Sequence, residues 1–495
     1  MTLPNIVDLE EIKELLLSHQ KANKILREDP LPWSVGHSKL GGRGLFATRN
    51  IEPNELIFID APLLIGPKYM GNKAPMCVCC YKNECPLFPC DHGCGLPVCS
   101  EQCENSPKHV DYECKYLRSL VPTCGTNWSL DLLLAVIAIR GLFLTELQRK
   151  CLAAFQWDQS HAVCHELELL QRNVANPPSE EDRMLMKRIC KTLNINAFET
   201  VSVQDKDHSS SLRGLYPIGG LQNHCCVPNT RHHFDGEQRL YVNAARPISA
   251  GEELTMSYTS LFWDTMLRRH FLSATKYFSC ECKRCSDRTE FGSGLGAFLC
   301  ASEDCSGRLL PQNPLNTATP WGCDKCSVVI SNRQISSIRS SLSVIMENVL
   351  HKTPREIYNF MQRELSLVIP ATNYLVMDIK FRIISYYGRA EGVEWADLSV
   401  AELDTKAKYC KDLLSVLKTL NCGDCKKKGL ILYELYCTNM EKMKRIQQQR
   451  NIANDHAHFS IQNDENERLL KEAMTILQND VVAAVTFEYD KKFFK

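Results

Sequence analysis

CVCCYKNECPLFPCDHGCGLPVCSEQCENSPKHVDYEC, residues 77–114, packs nine cysteines and two histidines into one short stretch. The spacings Cys77-x2-Cys80, Cys90-x3-Cys94 and Cys99-x3-Cys103, followed by His109 and Cys114, offer eight metal ligands. Eight ligands complete two tetrahedral zinc sites, and a closed four-ligand shell is what a structural zinc requires. Few apolar residues occur here, so metal binding is expected to supply most of the folding energy of this module. Cys79 and Cys85 are spare thiols, and a shifted register would exchange one of them for a ligand. Residues 67–114 contain four lysines, six acidic residues and no arginine, which argues against nucleic acid as the partner.

The whole chain repeats that message. With 495 residues it is too long for a single core, so two to four packed units are expected. Its 58 basic and 58 acidic residues cancel, leaving no global field to draw it onto nucleic acid or an anionic membrane. The longest apolar run, Leu132 to Ile139, is far below the roughly 20 residues of a membrane span. Asp8, Glu10, Glu11 and Glu14 stand where a secretion signal needs a basic end and an apolar core. In a reducing compartment, clustered cysteines among a total of 26 read as zinc ligands rather than disulfides.

Residues 8–27 have the spacing of an amphipathic helix, and Trp33 to Ile65 alternates around glycines as a β-hairpin would. Leu130 to Asn194 reads as helical with a break at Asn176-Pro177-Pro178, and Gly214 to Tyr258 as short strands with turns at Gly236 and Ala250-Gly251. A second cysteine block runs from Cys280 to Cys326. It contains Cys280-x-Cys282-x2-Cys285, one ligand short of a site, and a further set of four, Cys300, Cys305, Cys323 and Cys326. After Ser331 helical stripes recur, beginning with Ile335, Ile338, Leu342, Ile345 and Val349, as in an antiparallel helical array. Cys422-x2-Cys425 reads as a loop feature, and His232-His233 as a solvated hairpin without a role.

Three separated motifs resemble those of SET domains. Gly41-Gly42-Arg43-Gly44-Leu45-Phe46-Ala47 is similar to the opening glycine loop. Asn223-His224-Cys225-Cys226-Val227-Pro228-Asn229 resembles the NHSCxPN signature, with Cys225 in place of serine. Gly251-Glu252-Glu253-Leu254, followed by Ser257-Tyr258, resembles the closing element. In this order, with the first cysteine block inserted between the first two, they identify the chain as a member of the SMYD family of SET and MYND domain protein lysine methyltransferases. The Leu40–Gly44 opening and Trp321-Gly322-Cys323 are similar to a divergent arthropod branch. The resemblance implies an α+β fold, a β-rich SET domain split by a MYND zinc finger, with a post-SET zinc segment and an α-helical, tetratricopeptide-like C-terminal domain. On that pattern 1–28 is an N-terminal helix, 29–70 the first part of the SET domain and 77–114 the finger. A helical insert takes 129–195, the SET core 196–278, the post-SET segment with a zinc ribbon 279–328, and the helical C-terminal domain 333–495.

The resemblance also implies a ligand set. Cys77, Cys80, Cys99 and Cys103 would hold one zinc, and Cys90, Cys94, His109 and Cys114 a second. Cys226 would complete the third with Cys280, Cys282 and Cys285, Cys225 being the rival ligand. Cys300, Cys305, Cys323 and Cys326 lie outside the common family pattern and offer a fourth. Implied cofactors are therefore zinc at three sites, with room for a fourth, and S-adenosyl-L-methionine. Gly42, Arg43, Gly44, Asn223, His224, Tyr258 and Phe278 match the cofactor-binding positions, with Tyr258, Tyr277 and Phe198 at the catalytic tyrosine and the walls of a lysine channel.

The implied activity is methyl transfer to a protein lysine, on a histone or another protein. A lysine ammonium has no lone pair, so it must lose its proton first, and a dry channel favours that. A reading from a different class is a catalytically silent scaffold that binds proteins through the finger and the helical tail. Expected partners are a protein carrying the target lysine and a proline-rich peptide at the finger, with no membrane and no direct nucleic-acid contact. The expected location is cytoplasmic, nuclear or both, Lys426-Lys427-Lys428 being too short for a nuclear signal.

Overall fold

The computed structural model describes residues 5–27, 30–68, 75–157, 163–203, 209–449 and 456–483. Its contacts divide the chain into two units. One comprises Met1–Asn223, His232–Leu254 and Asn479–Lys495, the other His224–Arg231 and Thr255–Gln478.

In the first unit a helix spans Leu9–Ala22, capped by Asp8, whose carboxylate accepts the Glu11 N–H at 2.8 Å. It stops short of the expected residue 27 for a local reason. The Asn23 amide donates to the His19 carbonyl at 2.8 Å, and Lys24 turns left-handed at φ 57°. Strands β1 (Trp33–His37) and β2 (Arg43–Ala47) form an antiparallel hairpin with Trp33 opposite Ala47 and His37 opposite Arg43. The hairpin ends there rather than at Ile65, because the other edge of β2 pairs with remote Glu253 and Leu254. β3 (Leu56–Asp60) pairs instead with Leu240–Ala244, and β4 (Leu64–Pro67) with Ser209–Leu215.

The helical stretch of this unit breaks into Leu130–Arg140, Glu146–Ala153, His165–Arg172 and Glu180–Asn196. Leu132 to Ile139 are buried without exception, so the first of these helices is enclosed on every side. Val78, Leu96 and Val98 of the cysteine block, with Met76 just before it, share a core cluster with Leu132, Leu133 and Val136. The finger therefore adds apolar packing to whatever its metal centres supply. The apolar partners that stabilise it stand on a helix outside it.

The second unit contains the helix Thr265–Lys276 and a four-stranded sheet from Phe298–Leu299 to Val329–Ile330. Among the described residues six α-helices follow, from Asn332–Val349 to His456–Leu477. Three of their starts carry reciprocal caps, Ser331 with Gln334, Thr353 with Glu356 and Ser399 with Glu402. Phe298 and Trp321 of the sheet lie in one core cluster with Ile335, Ile383 and Leu413 of the helices. Cys422 is buried in this core and Cys425 packs against it. Among the described residues no helix is long and apolar enough to cross a membrane.

A buried ion pair ties the N-terminal helix to β3. Asp60 accepts the N–H groups of Ile218 and Gly219 at 2.7 and 3.0 Å, and His19 Nε2 stands 3.4 Å from its other oxygen. Burial opposes protonation of His19, but hydrogen bonding and charge from Asp60 prevail and raise its pKa above 6.5. A raised folded pKa contributes stability that is fully present below the unfolded value and lost as pH rises through the folded one. In urea titrations from pH 6 to 9, His19→Gln should lose most stability relative to the parent at pH 6, and the gap should narrow upward. A gap independent of pH would mean that His19 is neutral throughout.

Candidate active site and zinc centres

Tetrahedral zinc with Zn–S bonds of about 2.3 Å places its sulfurs about 3.8 Å apart. Among the described residues four groups meet that spacing, each with all ligand atoms within 4.8 Å of one another. They are Cys77, Cys80, Cys99 and Cys103; Cys90, Cys94, His109 and Cys114; Cys226, Cys280, Cys282 and Cys285; and Cys300, Cys305, Cys323 and Cys326. Representative sulfur pairs are Cys80–Cys99 at 3.5 Å, Cys226–Cys280 at 3.9 Å and Cys305–Cys323 at 3.7 Å. These donor sets fit zinc, and the protein has multiple zinc sites. Cys226 belongs to the third group, while Cys225 lies against Cys282 from outside it.

The second centre is buried at all four ligands. His109 Nε2 faces Cys90 and Cys94 at 3.4 and 3.7 Å, so it is the metal-facing nitrogen. Nδ1 then carries the proton and points at Glu113 Oε1, 3.5 Å away. Arg140 holds that carboxylate at 2.9 Å and reaches the carbonyls of Val78 at 2.9 Å and Ile65 at 3.1 Å. A metal-bound imidazole oriented by a carboxylate has a fixed tautomer and greater basicity. Neither Glu113 nor Arg140 stands out in the sequence, since neither belongs to a cysteine spacing.

At the third centre the Arg268 side chain is fully buried. Its Nε donates to Cys226 Sγ at 3.2 Å and one terminal nitrogen to Cys285 Sγ at 3.5 Å. Glu290 pairs with Arg268 at 2.7 Å and with Arg284 at 3.0 Å, and Arg284 also donates to the Cys226 carbonyl at 3.2 Å. One buried guanidinium thus bonds two of the four sulfurs, and a second holds the Cys226 main chain.

Within the first unit, Asn223 Nδ2 donates to the Arg43 carbonyl and to Glu253 Oε1, both at 2.8 Å. The other oxygen of Glu253 accepts the Ser38 hydroxyl at 2.9 Å. A Cβ on Gly44 would run into Glu253 Oε1 and come within 3.1 Å of Asn223 Nδ2, so any side chain there would displace the Asn223–Glu253 bond. Gly42 has φ 62°, a second requirement for glycine. The Arg43 guanidinium donates to the Ile6 carbonyl at 2.9 Å, which ties the loop to the N-terminal segment. Phe198 packs edge-on against Tyr216 and His232, both at 5.5 Å, and Phe234 at 6.4 Å. His233 stacks on Tyr241 at 5.0 Å, so these histidines are packed rather than solvated.

Within the second unit, His224 is buried and accepts the Tyr258 N–H at Nδ1, 3.0 Å away, while its Nε2 lies 3.2 Å from Cys226 Sγ. Burial, aided by Arg268 and Arg284, pushes its pKa down to about 4. The ring is therefore neutral, with its proton on Nε2 aimed at the sulfur. Tyr258 and Phe278 stand 5.3 and 6.0 Å from the His224 ring. Tyr277 is left-handed at φ 60° and 53% exposed, terminating the helix Thr265–Lys276. A non-glycine residue in that conformation is costly and is kept where surroundings demand it.

The SET domain family model matches residues 42–259. SET domain-containing protein SmydA-8, isoform B, of Drosophila melanogaster is 32% identical over 438 residues, 86% of this chain and 95% of its own length. The chain belongs to the SMYD family of SET and MYND domain proteins. It is also similar to N-lysine methyltransferase SMYD2 of Gallus gallus, 25% identical over 53% of this chain and 62% of that one. Histone-lysine N-methyltransferase SMYD3 of Mus musculus is 28% identical over 49% and 59%.

Two outcomes check the centres. Glu113→Gln should weaken zinc binding at the second centre by about 10- to 100-fold, measured by competition with a chelator. Cys226→Ser should release about one zinc per chain and lower stability, with unchanged metal content pointing to Cys225 as the ligand.

Proposed function

We propose that the chain is an S-adenosylmethionine-dependent protein-lysine N-methyltransferase. Family membership and the methyltransferase names of its relatives support the reading. The observation that carries it is the state of Asn223. Both hydrogens of its amide are committed to Arg43 and Glu253, so Oδ1 is presented as an acceptor, suited to the cofactor's ammonium. The glycines at 42 and 44 keep that loop free of side chains, and backbone groups there suit the carboxylate.

Bound S-adenosylmethionine supplies an electrophilic methyl group on a sulfonium. The side chains of this chain do the rest. Tyr258 orients the incoming amine through its hydroxyl. Phe278 and the backbone of His224 hold the cofactor, while Tyr277 beside them walls the lysine. An aromatic, water-poor channel disfavours the ammonium and so promotes loss of its proton before transfer. Holding amine and methyl in line accounts for much of the remaining acceleration. For the finger we take a proline-containing peptide as ligand, in keeping with the family resemblance and with Phe88, 55% exposed on it.

Isothermal titration with S-adenosylmethionine and its demethylated product should give micromolar binding to zinc-replete protein. No binding to folded protein with intact zinc would favour the scaffold reading. Tyr258→Phe should cut transfer by about 100-fold or more while leaving cofactor affinity nearly unchanged. Full turnover in that variant would remove the hydroxyl from the mechanism.

A further inference from the structure

The two centres of the finger differ in a way that their shared ligand chemistry does not require. The second is sealed, with Cys90, Cys94, His109 and Cys114 all buried. In the first, only Cys77 is buried, and Cys80, Cys99 and Cys103 are half-exposed. Two further thiols stand beside it. Cys79, between ligands Cys77 and Cys80 in sequence, lies beside Cys103 and the Ser106 hydroxyl, and Cys85 lies beside Cys99. The Cys85 sulfur is 3.9 Å from the Lys82 carbonyl, which also accepts the N–H of ligand Cys77 at 2.8 Å. Both spare thiols are half-exposed. Six sulfurs therefore crowd a site that needs four.

We propose that Cys79 and Cys85 make the first centre an oxidation site from which peroxide releases zinc. Hydrogen peroxide takes two electrons from a spare thiol, the O–O bond breaks, and sulfenic acid and water form. The adjoining zinc-bound thiolate then attacks the sulfenic sulfur, Cys103 at Cys79 or Cys99 at Cys85. An S–S bond forms, hydroxide leaves and is protonated to water, and zinc loses one of its four ligands. A three-ligand shell binds zinc weakly, and the metal departs. The second centre and its Glu113–Arg140 support stay intact.

The other centres supply internal controls. The fourth is the most open, with Cys326 exposed and the other three ligands half-exposed, yet the described residues place no fifth thiol in its group. The third has Cys225 beside Cys282, but Cys226, Cys280 and Cys285 are buried. If exposure alone set the order of release, the fourth would empty first. If adjoining accessible thiols set it, the first would.

The full chain, loaded with zinc, is treated with hydrogen peroxide while a chromophoric chelator reports free metal. Disulfides are mapped by mass spectrometry after alkylation. One zinc equivalent should leave before the others, together with Cys79–Cys103 or Cys85–Cys99 linked peptides. In the double variant C79S/C85S that first phase should slow by about ten-fold or more, with the full zinc content bound beforehand. Reduction in the presence of zinc should restore the metal. An unchanged first phase in the double variant would overturn the proposal. So would a first disulfide joining Cys300, Cys305, Cys323 or Cys326, a result that the unmodified chain delivers even if the variant fails to fold.

Discussion

A zinc ion held by four thiolates carries two net negative charges, and burying such a group is unfavourable unless donors and cations surround it. The second unit is organised around that constraint. Arg268 and Arg284 bring two positive charges to the third centre, and Glu290 fixes both guanidiniums at 2.7 and 3.0 Å. The other oxygen of Glu290 accepts the Thr265 N–H at 2.9 Å, at the start of the helix whose first turn holds Arg268. One carboxylate therefore sets the helix, the arginines and, through them, Cys226 and Cys285. Removing any partner leaves a buried charge uncompensated, so these residues form a unit rather than a set of separable contacts.

The remaining centres meet the same constraint differently. Exchange of one thiolate for His109 lowers the charge of the second centre, and its buried surroundings need only the Glu113–Arg140 pair, itself neutral. Arg140 also bonds Val78 of the finger and Ile65 of β4, so the compensation doubles as an anchor. The first and fourth centres have half-exposed or exposed ligands and lie nearer to water, which screens their charge. Ligand spacing alone does not distinguish these cases. The environment does, and with it the chemistry that each centre can undergo.

The ligands were legible because each pair lies within a few residues in sequence. Their supports were not, because the fold brings them from afar. Arg268 and Cys226 are 42 residues apart, Arg140 and Glu113 27, and Ser38 and Glu253 215. No local pattern marks a carboxylate as the partner of a hydroxyl at that distance. Periodicity likewise showed β1 and β2 but not where the hairpin ends, since the competing partner of β2 is Glu253–Leu254. The N-terminal helix was read too long because apolar spacing continues past Asn23, whose side chain takes a carbonyl of the last turn. Composition pointed to metal as the main support of the finger but not to the helix beginning at Leu130 on which its apolar residues pack.

His224 shows how a metal centre can order a residue beyond its own ligands. Its two ring nitrogens make bonds of opposite sense, accepting from the Tyr258 backbone and facing the Cys226 sulfur. Only the neutral tautomer protonated at Nε2 satisfies both. A protonated ring would lose the acceptor that Tyr258 needs, and the other neutral tautomer would set two N–H groups against each other. Burial beside Arg268 and Arg284 keeps the ring neutral down to about pH 4, well below physiological pH. The thiolate then selects the tautomer, the tautomer holds the main chain of Tyr258, and the direction of that side chain follows. A ligand–histidine–backbone chain of this kind transmits position without transferring charge. The third centre therefore restricts where Tyr258 stands through a residue that is not one of its ligands.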